Sequence, residues 1–66
     1  MTTPVNEVVA DLVSRLDADL KEAFEERASI REFDGGINRE LAEALALLDV
    51  IQQYPKEVLS QLAKTA

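Results

Sequence analysis

Glu22 and Glu26 lie four residues apart, as do Arg39 and Glu43, so in a helix each pair shares a face. Two carboxylates on one face could hold Mg²⁺ or divide the roles of general acid and base. Nothing else in the sequence offers chemistry of that kind. Histidine and cysteine are both absent, which removes Ser–His and Cys–His nucleophiles, zinc–thiolate sites and the histidine-containing di-iron bundle. Carboxylate pairs at this spacing occur on nearly every acidic helix, and here they read as a solvated face. The sequence therefore predicts no catalysis, no cofactor and no metal.

The residues that stand out are candidates for meeting a protein partner. Asp17, Asp19, Glu22, Glu25 and Glu26 form the densest acidic segment, relieved by one cation, Lys21. Thirteen acidic residues against seven basic ones give a net charge of −6. Such a surface repels phosphate backbones and suits a basic partner. Leu47, Ile51 and Tyr54 are expected to add apolar anchors along a helix face running from Leu41 to Tyr54. Tyr54 has a ring that can pack and a hydroxyl that can stay wet. Two acid-before-base pairs at spacing four, Asp11 with Arg15 and Asp17 with Lys21, read as structural.

These residues must be positioned by helices. Both glycines of the chain sit in Asp34-Gly35-Gly36-Ile37-Asn38, with helical periodicity on either side. Paired glycines stop a helix, and Asn38 can cap a new one at once. Before the turn, Val5, Val8, Val9, Leu12, Val13, Leu16, Leu20, Ala23, Phe24, Ala28, Ile30 and Phe33 recur at spacings of mostly three and four. With Thr2 or Thr3 as cap and Pro4 in the first turn, they predict one helix of about 30 residues, roughly 45 Å long, with Phe24 and Phe33 in the core. Asp17-Ala18-Asp19 and the capping-box match at Ser29-Ile30-Arg31-Glu32 are the two places where it could break. Both read as exposed positions inside the helix, since breaks usually need Gly or Pro.

After the turn, Leu41, Ala44, Leu45, Leu47, Leu48 and Ile51 predict a helix from Arg39 to Gln53, with an apolar band wide enough for more than one neighbour. Tyr54-Pro55 ends or kinks it, and Pro55 can open a further short helix lined by Val58, Leu59 and Leu62. The fold class is thus all-α: one domain over residues 1–66, an antiparallel helical hairpin with a long first helix and a kinked return limb, two to three helices in all. A chain this short buries a modest core, so the open apolar stripe is expected to be closed by a second copy, giving a homodimeric helical bundle.

The stretch from Glu26 to Ala46, centred on Asp34-Gly35-Gly36, resembles the helix–Asp-Gly-Gly–helix pieces of short bacterial reading frames in plasmids, phages and integrated elements. It also resembles the ends of some replication-type proteins from such elements. Leu41 stands where the usual member has an acid. The resemblance implies a mobile-element setting and assigns no activity.

The expected function is protein–protein interaction, as a small acidic accessory or regulator in the cytoplasm of a bacterium. No apolar run approaches the roughly 18 residues needed to span a bilayer, and Met1 to Pro4 lack the features of a signal peptide. A phage-type inhibitor that mimics nucleic acid and acts on a basic defence protein is the second reading. An antitoxin-like or DNA-binding module is the third: Asn38 to Leu45 resembles the first helix of a helix-turn-helix. That reading is weakened because no turn follows and only Lys56 and Lys64 supply cations beyond it.

Overall fold

A computed structural model describes residues 4–63, which form four helices and no strand. They are α1 (Glu7–Ser14), α2 (Ala18–Phe33), α3 (Arg39–Gln53) and α4 (Pro55–Ala63). The all-α class expected from periodicity holds, with one more helix than the largest number expected. The extra element arises because the long first helix is two. A rod of roughly 45 Å would exceed the longest extent of the molecule, 34 Å.

The break falls at Arg15-Leu16-Asp17, overlapping the marked Asp17-Ala18-Asp19 only at Asp17, with Ala18 and Asp19 already inside α2. The amides of Arg15 and Leu16 turn back to the carbonyls of Leu12 and Val13, at 3.2 and 3.0 Å, tightening the last turn of α1. Asp17 is extended (φ −75, ψ 176) and its carboxylate accepts the Leu20 amide at 3.0 Å, capping α2. A side chain distant in sequence fixes the corner. Gln61 accepts the Asp17 amide at 2.7 Å and returns its own N–H to the Asp17 carboxylate at 2.8 Å. Neither proline nor glycine takes part. Ser29, the alternative cap, lies inside α2.

The chain also enters α1 later than expected. Asn6 is the cap, accepting the Val8 and Val9 amides at 2.9 and 3.3 Å, so Pro4 precedes the helix. Thr2 and Thr3 lie outside the described residues.

The turn between α2 and α3 behaves as its residues dictate. Asp34 closes α2, its amide bonded to the Ile30 carbonyl at 2.8 Å. A Cβ at Gly35 would sit 2.5 Å from the Arg31 carbonyl oxygen, and Gly36 has φ +65; each position therefore excludes a side chain for its own reason. Asn38 caps α3 through the Leu41 amide at 2.8 Å. The chain then doubles back, and α2 against α3 is the most extensive helix–helix contact. At the far end Tyr54 leaves helical geometry (φ −128, ψ 57), and Pro55 opens α4.

The core contains Val9, Val13, Leu16, Leu20, Phe24, Ala28, Ala46, Leu47, Val50 and Val58. Ala28, Ala42 and Ala46 are wholly buried, and such short side chains let α2 and α3 approach closely. One expectation is overturned here. Phe33 is 79% exposed, because nine residues are two and a half turns and place it opposite Phe24. On α3 the apolar band divides, with Leu41, Leu45 and Leu48 along its outer edge. Leu41 and Leu48 are exposed, while Ala42, Glu43, Ala46, Leu47 and Val50 turn inward.

Candidate functional site

The first turns of α2 and α4 meet the end of α3 at a cleft of about 460 Å³ lined by Asp17, Asp19, Leu20, Tyr54 and Glu57. Local chemistry places each of them. Asp17 is the α2 cap and Asp19 stands in its first turn. Glu57 occupies the first turn of α4. Carboxylates at these positions offset the partial positive charge of helix N-termini. Leu20 is buried beneath them. Tyr54 is half-buried, packed on the core at the point where Pro55 redirects the chain.

The cleft unites residues that the sequence marks separately. Asp17 and Asp19 belong to the acidic segment and Tyr54 to the apolar limb. Glu57 joins them without any signal in the sequence, because only the fold of α4 brings it there. The other marked residues go elsewhere. Glu22 and Glu26 are exposed on α2. Glu25 is drawn into an ion pair with Arg39 at 3.1 Å. Leu47 is 6% exposed and Ile51 packs against the core, so neither stands out as a surface anchor. Asp34, Gly35, Gly36 and Asn38 form the turn.

Two charge networks tie the helices together. Arg39 donates to Glu43 at 2.9 Å, Glu32 at 3.3 Å and Glu25 at 3.1 Å. Glu43 is 1% exposed and its other oxygen accepts the Val5 amide at 2.9 Å. This one carboxylate therefore ties the segment before α1 to the hairpin. Burial pulls the Arg39 guanidinium toward a lower pKa, but its bonds to Glu43 and Glu32 outweigh that and raise it.

The second network centres on Asp49. Arg31 grips it with two N–H groups at 2.6 and 2.8 Å, and Arg27 adds a third bond at 3.4 Å. The Arg31 hydrogen bonds hold the Asp49 carboxyl below the usual carboxylate range against the opposing effect of burial, with the charges of Arg31 and Arg27 helping. A lowered carboxylate stabilises the fold above its unfolded pKa, about 4, and that contribution fades as pH falls through the lower folded value. Asp49→Asn is expected to lose about 1 kcal/mol at neutral pH. Urea unfolding checks this, and the gap from wild type should narrow as the pH is lowered into the range where Asp49 is protonated.

Of the local ion pairs marked in the sequence, Asp11 with Arg15 forms, at 3.3 Å. Asp17 serves instead as the helix cap and as the partner of Gln61. Among the described residues no helix is long and apolar enough to cross a membrane. No cluster of carboxylates there is arranged to hold a metal ion.

Comparison of the chain with protein-family models, with curated proteins and with solved structures finds no match.

Proposed function

We infer that this chain is a small acidic protein–protein interaction module that docks a basic segment of a partner protein at the Asp19–Tyr54–Glu57 cleft. The observation that carries the reading is the joining of exposed carboxylates to an aromatic ring and a buried leucine in one concavity. A lysine or arginine needs both parts: an apolar wall for its stem and an acceptor for its head. The net charge of −6 would steer such a partner in from a distance, with screening by salt. Asp17 is spent on the α2 cap and on Gln61, which leaves Asp19 and Glu57 as the acceptors. The resemblance around Asp34-Gly35-Gly36 supports an accessory or regulatory role in the cytoplasm of a bacterium carrying a mobile element, with no catalytic step.

Mimicry of nucleic acid is the weaker reading. Glu25, Glu32, Glu43 and Asp49 are neutralised by arginines of the same molecule, which thins the row of exposed negative charge a mimic needs. DNA binding is weaker still, since α3 runs unbroken from Arg39 to Gln53 and offers no helix-turn-helix.

Tyr54 is the only tyrosine and tryptophan is absent, so tyrosine emission reports on the cleft directly. Titration with a short lysine- and arginine-rich peptide is expected to change that emission saturably, and less so as salt is added. The double variant Asp19→Asn, Glu57→Gln should weaken binding by about tenfold, equivalent to about 1.4 kcal/mol. Unaltered emission, or equal affinity in the double variant, would count against the cleft.

A further inference from the structure

The charged side chains of α3 are Arg39, Glu40, Glu43 and Asp49; Glu40 is exposed beside the outer side, and the other three are drawn inward to partners. Arg39 and Glu43 bond to each other, to α2 and to the Val5 amide. Glu40 accepts from Asn6 at 3.3 Å, and Asp49 is held by Arg31 and Arg27. What α3 presents outward is Leu41, Leu45, Leu48 and Gln52, on one stripe at spacings of four and three. Leu41 is 46% and Leu48 59% exposed. A chain with 30% charged residues and a net charge of −6 thus keeps one helical stripe free of charge, with the exposed Glu40 beside it. The outer side of α2 differs, with Asp19, Glu22 and Glu26 all exposed.

We propose that this face of α3 is a self-association surface on which a second copy of the chain docks antiparallel. A basic partner would find no carboxylate on the stripe, and an acidic one no cation. The complementary surface is apolar and uncharged, and a second α3 supplies it without bringing two acidic surfaces together. Two-fold pairing is self-complementary. In the antiparallel arrangement Leu41 meets Leu48 of the second copy, with Leu45 near the axis. The helix dipoles then oppose, whereas a parallel pair would align like ends. The stripe from Leu41 to Leu48 is only roughly 10 Å long, too short to provide the ~800 Å² per partner of a standard interface. The dimer is therefore weak and concentration-dependent.

Sedimentation equilibrium from about 10 µM to about 1 mM spans the affinity range of such an interface. The average mass should rise from the single-chain value of 7.3 kDa toward twice that. Leu48→Glu should stay at the single-chain mass with an unchanged circular dichroism spectrum, because the side chain it replaces is exposed. A wild type that remains at 7.3 kDa throughout, or a folded Leu48→Glu that associates equally well, would overturn the proposal. Because the chain has no cysteine, orientation can be tested separately. Leu41→Cys mixed with Leu48→Cys should cross-link on oxidation faster than either variant alone; faster linkage within either single variant would overturn the antiparallel arrangement. The stripe shares no residue with the Tyr54 cleft, so either site can fail while the other stands.

Discussion

Phe24→Ala is expected to leave much of the protein unfolded at 25 °C. Phe24 is wholly buried, the largest apolar side chain in that state, and it sits near the middle of α2 facing the helix that doubles back. Removing it sacrifices the transfer free energy of the ring and leaves a cavity, together about 3–5 kcal/mol. Sixty-six residues support a total stability of roughly 3–10 kcal/mol at the usual yield per residue. The loss is then a large fraction of the whole. Urea unfolding followed by circular dichroism measures it, and Phe33→Ala is the control. The same chemical change at a position 79% exposed should move stability by no more than about 0.5 kcal/mol. Equal effects at the two positions would mean that α2 is rotated from the register described above.

Glu43→Ala is the second large effect, with an expected cost of about 3 kcal/mol. The carboxylate is buried and serves two donors, the Val5 amide and the Arg39 guanidinium, each at 2.9 Å. Truncation leaves an amide without its acceptor and a guanidinium without its best-placed anion, and breaking such a pair costs about 3–5 kcal/mol. The lower end applies because Arg39 is 25% exposed and can recover some hydration. Glu43→Gln should cost less, since its carbonyl can still accept from Val5. In a double-mutant cycle with Arg39→Met, a coupling of at least about 1 kcal/mol is expected. Hydrogen exchange at the Val5 amide should quicken in Glu43→Ala by more than global destabilisation explains. Unchanged protection there would show that Glu43 does not hold the segment before α1.

Much of the second half of the fold was legible because its signals are local. Asn38, Gly35, Gly36 and Pro55 each impose a backbone geometry on their own neighbourhood, and α3 runs between the limits they set. The first half was not, because its decisive contacts are distant in sequence. Asp17 looks the same as an exposed acid inside a helix until Gln61 closes on it. Periodicity also left the faces of α3 unsorted. It placed Leu41, Leu45, Leu47 and Leu48 in one wide apolar band without showing which side turns inward. Close approach of two helices selects the alanines instead, and an inward-facing carboxylate, Glu43, is invisible to a hydrophobic count. Arg39 and Glu43 read as a solvated face although Glu43 is buried, and nothing local pointed to Asp49 as the seat of the other network. The cleft was half legible. Asp17, Asp19 and Tyr54 each drew notice and Glu57 did not, and their meeting depends on where α4 begins and which way it runs.

We propose that a basic protein segment is received at one place on this acidic molecule, the Tyr54 cleft. Amide chemical-shift mapping of the isotopically labelled chain, titrated with a lysine- and arginine-rich peptide, tests it most directly. Saturable shifts are expected at Asp19, Leu20, Tyr54 and Glu57, with small ones at Glu22 and Glu26. Shifts spread evenly over every exposed carboxylate, or none at all, would contradict it.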